Sequence, residues 1–286
     1  MNDFVKQELQ RKNLDAVVRN NGFKFSPTFF PYTSGEIGPY YVNSECVMRT
    51  PEDYALAIKS MADLVTNVMK KFTEYSISGG ESRDWIFSNP VAVRLGKSPI
   101  AIYKDGKIIS LSDLEIKDKR FAHVADLNNE GSSPRDLWVP AIRKRGGIVE
   151  HILFYVDRLE GGVEVMQNLG LRSDAVIPLN ENAWNYLQKG QVVSQDVYRN
   201  LMARGKTKEE RDAWAVKMLR SNPGLETLEK LIRDPKTFDK AAKILGKGYP
   251  ELETEIEERL KDKLERELYV QLRTKVGSFK GEIRIC

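Results

Sequence analysis

The chain has 286 residues, 41% hydrophobic and 30% charged, proportions ordinary for a folded globular protein. The formal net charge is only +4, and the surplus lies in residues 191–286, where 21 basic and 17 acidic residues are intermixed. With no concentrated basic face, no run of 18 apolar residues and only two distant cysteines (Cys46 and Cys286), the sequence argues against nucleic-acid binding, a membrane span, a disulfide framework and a zinc motif.

In chain order, the opening MNDFVKQELQRKN is polar and lacks the apolar core of a secretory signal, so a reducing cytoplasmic setting is expected. Residues 51–72 carry a helical pattern. Short apolar runs then read as strands: 74–80 (EYSISGG), 99–105 (PIAIYKD), 121–127 (FAHVADL), 151–157 (HILFYVD) and 175–179 (AVIPL). Helix-like stretches separate them at 88–96, 134–147 and 164–170. Strands alternating with helices imply crossover connections, an α/β class and a parallel sheet. Ligands in such sheets sit beyond the carboxyl ends of the strands. Gly-Gly-Glu-Ser (79–82), Lys104, residues 125–133 and residues 157–162 all fall at such ends, so four separate segments are expected on one rim.

From about residue 190 the pattern is helical, giving an expected division into residues 1–188 and an all-helical region, 189–286. Thr207 with Glu210 forms a capping box, and Asn222-Pro223 and Asp234-Pro235 each offer a cap followed by proline. Gly246 is placed to close the helix after Asp234. A single last helix is expected over 250–276, with Leu252, Ile256, Leu260, Leu264, Leu268, Leu272 and Val276 forming a stripe that winds around it. Packing on its own domain and contact with a partner both fit that stripe.

The loop FAHVADLNNEGSSPRD (121–136) carries the most chemistry. A strand ending in an acid, a turn with glycine and serines, then a helix start can wrap a phosphate in backbone N–H groups. A carboxylate at the entrance, Asp126, suits sugar hydroxyls or a bound Mg²⁺. An ordinary strand–turn–helix corner has the same spacing. His123 and His151 lie within strands and read as structural.

Five strings in one order resemble the orotate phosphoribosyltransferases, a branch of the type I phosphoribosyltransferases: TSGEIGPYYVN (33–43), SGGESRDWIFSNPVAVRLG (78–96), IYKDGK (102–107), the 125–133 loop and FYVDRLEGG (154–162). The resemblance covers residues 25 to 180. It implies a Rossmann-like parallel sheet with a small N-terminal hood, and a homodimer. It also implies transfer of phosphoribosyl from phosphoribosyl pyrophosphate to orotate or a related base, with Mg²⁺ carried on the substrate and Asp126 the one protein carboxylate placed to reach it. Carried over by position, Gly79, Gly80, Glu81 and Ser82 form the pyrophosphate-side loop. Lys104 and Lys107 neutralise the pyrophosphate, and Asp126 holds the ribose. Asn129, Gly131, Ser132 and Ser133 cradle the 5′-phosphate. Tyr40, Tyr41 and Arg158 face the base.

The match has gaps. Tyr103 replaces the family's arginine, Ala125 one of its two acids, Glu130 a threonine, and Thr33 a lysine, while residues 107–110 (KIIS) replace its KxHG element. An inward Glu130 would repel a phosphate. Lys104 and Lys107 also fit a solvated hairpin around Asp105-Gly106, and Arg158 also fits an ion pair with Asp157 or Glu160. Two functions stay open at this point: a transferase, or a degenerate scaffold that senses nucleotides or docks a partner.

Overall fold

In the computed structural model, which describes residues 3–110 and 115–281, helix α1 (Asp3–Arg19) leads into a two-stranded hairpin, β1 (Phe23–Pro31) and β2 (Ile37–Val42). A 3₁₀ turn (Ser44–Arg49) and α2 (Pro51–Met69) follow, the latter capped by Thr50 accepting from the Asp53 N–H. Next come β3 (Ser76–Gly80), α3 (Asp84–Leu95), β4 (Pro99–Ile102), β5 (Ile108–Ser110) and β6 (Arg120–Asn128). A π turn (Pro134–Trp138) runs into α4 (Val139–Arg143). Pro140 has no N–H to give to the preceding turn, which is consistent with the wider helical spacing before it. Then β7 (Ile148–Asp157), α5 (Gly162–Asn168), β8 (Arg172–Pro178) and α6 (Glu181–Lys189) complete the α/β part. Helices α7 (Gln195–Ala203), α8 (Lys208–Arg220), α9 (Asn222–Arg233), α10 (Phe238–Lys243), α11 (Glu253–Lys261) and α12 (Arg266–Gly281) complete the chain. Among the described residues, no helix is long and apolar enough to cross a membrane.

Contacts divide the chain into two units: residues 1–23 with 42–192, and residues 24–41 with 193–286. The boundary expected after residue 188 lies close to the second crossing. The hairpin, however, is counted with the helical region rather than with the sheet. The reason is visible in the second unit's core, where Phe29 and Ile37 are buried among Trp214, Leu225, Leu228, Leu245, Tyr249 and Leu272. Thr28 and Thr227 hydroxyls hydrogen-bond at 2.9 Å, and Lys243 donates to the Thr33 carbonyl.

In the first unit the six-stranded sheet has order β5-β4-β3-β6-β7-β8. All its pairs are parallel except β4 with β5. Central β7 is buried along Ile152–Asp157, the signature of a strand covered on both faces. Ile100, Phe121, Ala125, Trp138, Ile142 and Phe154 form one apolar layer. From β3 the chain steps to β4 on one side, whereas β6 and its successors lie on the other. The strand order therefore reverses between β3 and β6, where a crevice opens in folds of this kind. The β3–β6 ladder ends at Ser78 opposite His123, although both strands continue.

The helical unit departs from expectation at the last helix, at Asp234, at Gly246 and at Asn222, since Ser221 is the cap of α9. The single helix expected over 250–276 is broken between Lys261 and Arg266. On one straight helix the four-residue spacing would carry its stripe out of the core; the break lets Leu252, Ile256, Leu260, Leu272 and Val276 all be fully buried. The Arg233 guanidinium secures the break, bonding the Glu265 carboxylate at 2.8 and 2.9 Å and the Lys263 carbonyl. Asp234 does not start a helix but ends α9, and its side chain accepts from the Lys236 N–H. Gly246 lies inside a π turn (Ile244–Gly248), where a Cβ would meet the Val276 carbonyl at 2.6 Å. The Thr207–Glu210 capping box forms as the spacing predicts.

Candidate functional site

The first unit's rim is built from the carboxyl ends of β3, β4, β6 and β7, tied to one another by hydrogen bonds. Gly79 and Gly80 end β3 and are buried. Each must be glycine for want of space: a Cβ on Gly79 would lie 2.1 Å from Ser88 Oγ, and one on Gly80 2.2 Å from the Trp138 ring. Glu81 continues toward β4, donating its N–H to the Ile102 carbonyl and accepting the Lys104 N–H on its side chain at 2.9 Å. Ser82 is exposed, and the Glu81–Ser82 peptide is cis.

Lys104 and Lys107 sit on the β4–β5 turn, which closes through Tyr103 N–H to Lys107 carbonyl, Gly106 N–H to Tyr103 carbonyl, and Lys107 N–H to Asp105 Oδ1. Gly106, at φ +80°, supplies the left-handed step. The hairpin reading of this segment is thus the one realised, and it places both ammonium groups in solvent. Together with Lys144 and Arg145 they line an open groove of about 670 Å³, whose acids are Asp105 and Asp136.

Asp126, near the end of β6, is only 9% exposed. Its Oδ2 accepts from Ser44 Oγ at 2.9 Å, and its N–H donates to Asp84 Oδ1 at 3.0 Å. Burial, then the adjacent Asp84 carboxylate, pushes the Asp126 carboxyl up to about 7. The neighbouring Ala125 belongs to the apolar layer with Trp138 and Phe154.

The loop after β6 leads into a helical turn starting at Ser132. Asn129, Ser132 and Ser133 are exposed, and Gly131 is buried at φ +72°, where a Cβ would meet Met166 at 2.7 Å. Glu130 is also exposed, and its charge helps raise the Arg135 guanidinium, behind the larger effect of Asp136. It is exposed rather than buried in the turn. This loop is joined to the next rim segment: Arg158 N–H donates to the Asn128 carbonyl, Gly162 N–H to the Asn129 carbonyl, and Asn128 Nδ2 to Asp157 Oδ2. Burial raises the Asp157 carboxyl.

Arg158 is buried and donates to Glu160 Oε1 at 2.9 Å, with side chains 6% and 7% exposed. The ion-pair alternative for Arg158 is therefore present, with Glu160 as partner. Tyr40, buried, and Tyr41, exposed, lie on β2 in the other unit, where the Tyr40 carbonyl accepts from Tyr32 Oη at 2.7 Å. The rim thus gathers residues 79–84, 104, 126–133 and 157–162 in one unit and leaves the two tyrosines in the other.

One cluster escaped the sequence reading. Ser78 Oγ lies 3.0 Å from His123 Nδ1, and His123 Nε2 lies 3.6 Å from Asp84 Oδ2. The order serine–histidine–aspartate resembles a nucleophile triad, but Ser78 and His123 are wholly buried and no substrate reaches them. The available signal was Asp84 itself, four residues beyond Gly80. Among the described residues no group of three or more acids, histidines or cysteines is arranged to hold a metal ion.

No protein-family model matches the chain. It is 28% identical over 197 residues to an orotate phosphoribosyltransferase of Sulfolobus acidocaldarius, covering 68% of this chain and 91% of that protein. To an orotate phosphoribosyltransferase of Staphylothermus marinus it is 27% identical over 188 residues, 64% of this chain and 87% of the relative. At this modest identity the chain is similar to the orotate phosphoribosyltransferases and fits a divergent relative of them. The fold agrees. UMP synthase of Leishmania donovani superposes with a TM-score of 0.57 at 20% identity, over 68% of this chain and 41% of that one. The family's enzyme from Aeropyrum pernix gives 0.52 at 19%, over 63% of this chain and 99% of that one. About a third of the present chain lies outside each of these matches.

Proposed function

We propose that the protein transfers a phosphoribosyl group from phosphoribosyl pyrophosphate to a pyrimidine-type base, orotate being the first candidate, and releases pyrophosphate. A base nitrogen bonds to ribose C1 as the C1–O bond to the diphosphate breaks; the bonding electron pair leaves with the diphosphate, and the proton on the base nitrogen passes to a diphosphate oxygen or to solvent. The work left to the protein is placing two reactants and neutralising a departing polyanion. The observation that carries this reading is the hydrogen-bonded rim at the strand-order reversal, with Gly-Gly-Glu-Ser intact.

In this reading the 79–82 loop and the side chains of Lys104 and Lys107 receive the pyrophosphate. The backbone of Asn129 and Gly131 to Ser133, with the two serine hydroxyls, receives the 5′-phosphate at a helix start. Asp126 accepts from the ribose hydroxyls. Arg158, paired with Glu160, keeps the base-side role that the sequence resemblance gives it. Mg²⁺ bound to the diphosphate would spread its charge; the donor set fits a metal carried in on substrate oxygens, with Asp126 the rim carboxylate nearest that role. A homodimer is proposed on the family's precedent, and light scattering measures it directly.

The decisive assay supplies phosphoribosyl pyrophosphate, Mg²⁺ and orotate and reads pyrophosphate release and orotidine monophosphate formation. Turnover is expected. A melting temperature raised by phosphoribosyl pyrophosphate without turnover would instead indicate a binding protein, and neither response would reject the proposal.

A further inference from the structure

Position 125, where the family has the first of two adjacent acids, is alanine, and its side chain belongs to an apolar layer. An ionised carboxylate there would be buried without a partner. The next residue points to the other face of the strand, and there Asp126 meets a second carboxylate that comes from elsewhere. It belongs to Asp84, two residues beyond the Gly-Gly-Glu-Ser string.

Asp84 occupies a particular gap. The β3–β6 ladder stops at Ser78 and His123, so the residues beyond lose their cross-strand partners just where the crevice opens. Two N–H groups in that gap would otherwise be buried and unpaired. Asp84 accepts both: Oδ2 takes the Gly80 N–H at 3.0 Å, and Oδ1 takes the Asp126 N–H at 3.0 Å. One carboxylate, 7% exposed as a residue, thereby pins the end of the pyrophosphate-side loop to the strand that carries the ribose-side acid. Hydrogen bonds to a charged acceptor are stronger than neutral ones, and leaving a buried donor unmade is costly.

We propose that Asp84 is a positioning residue for phosphoribosyl pyrophosphate, a displaced second acid that fixes the separation of the Gly79–Ser82 loop and Asp126 across the crevice. The role rests on the transferase reading, because it matters only if one substrate spans both segments. Asp84 touches no substrate. It sets the distance between two groups that do, so its loss acts mainly on substrate binding.

The test is Asp84→Asn, which keeps the size, removes the charge and turns an amide N–H₂ toward one of the two backbone donors. Two measurements are read. Amide hydrogen exchange on the ligand-free protein should show Gly80 and Asp126 protected in the wild type and exchanging at least about tenfold faster in the variant, with the β7 amides unchanged. Steady-state kinetics should show KM for phosphoribosyl pyrophosphate raised about tenfold or more while kcat changes less than about threefold. If Asp84→Asn does not fold, Asp84→Glu keeps the charge and displaces both oxygens by one methylene, and the same KM rise is expected. Unchanged exchange at Gly80 and Asp126 overturns the inference. So does faster exchange with an unchanged KM, which leaves Asp84 as a purely structural bridge while the transferase reading stands. A wild type with both amides protected and no response to phosphoribosyl pyrophosphate fails the transferase reading, and this role falls with it.

Discussion

Replacing Asp126 by asparagine should change how stability depends on pH. In the folded protein the Asp126 carboxyl holds its proton to about 7, against an ordinary value of 3.8, because it is buried and faces Asp84. An acid whose folded pKa is raised binds more protons in the folded chain than in the unfolded one between those two values. Folding stability from this group is therefore complete below about pH 4, falls as pH rises, and levels off above about pH 7. At about 1.4 kcal/mol per pH unit, the whole window sets an upper bound of about 4 kcal/mol. That corresponds to on the order of 10 °C in melting midpoint for a domain of this size. Asparagine can still accept from Ser44 but has no proton to lose. Melting midpoints of wild type and Asp126→Asn, taken from pH 4.5 to 8, should give a wild-type-minus-variant difference that declines steadily and then flattens. The subtraction cancels titrations common to both proteins. A difference that stays level, or climbs with pH, would refute the account of Asp126 as a buried acid sharing its site with Asp84.

Gly80→Ala forces a methyl into the Trp138 ring and should cost about 1–3 kcal/mol or more and abolish turnover, as read by unfolding and pyrophosphate release. Lys104→Ala and Lys107→Ala alter exposed side chains and should leave stability within about 0.5 kcal/mol. Each should lower kcat/KM for phosphoribosyl pyrophosphate at least about tenfold, the loss of one phosphate-neutralising charge (about 1.4 kcal/mol per tenfold). Thr207→Ala removes the capping box of α8 and should cost about 1 kcal/mol with no change in turnover. A chelator should stop turnover without moving the melting midpoint of the ligand-free protein, because the metal is expected on the substrate; a lower midpoint would point to a metal bound by the protein itself.

The sheet could be read from the sequence because β4, β6 and β7 carry short apolar runs bounded by polar turns, and β3 ends in a glycine pair. The rim followed from those ends, since strand direction fixes which segments share an edge. The capping box at Thr207 was legible for the same local reason, whereas the caps expected at Asn222 and Asp234 are not the ones used. What escaped depended on distant partners. Nothing near Phe29 and Ile37 announces that they will be buried among helices some two hundred residues later. The break after Lys261 needs Arg233 to receive the freed carbonyl of Lys263, a contact invisible to periodicity. Asp84 was missed because its meaning lies in two N–H groups left open where a ladder ends, and local sequence does not say where strands part.

The discontinuity of the helical unit bears on how the chain is made. Residues 24–41 are made well before the helices that cover Phe29 and Ile37, the first of which, α8, begins about 170 residues after Tyr41. At ordinary synthesis rates that is a wait of roughly 8–30 s. During it the nascent hairpin carries uncovered aromatic and aliphatic side chains beside a sheet domain that can already be folding. Chain termination before α8 would make that exposure permanent, so products truncated there should be drawn to chaperones or aggregates.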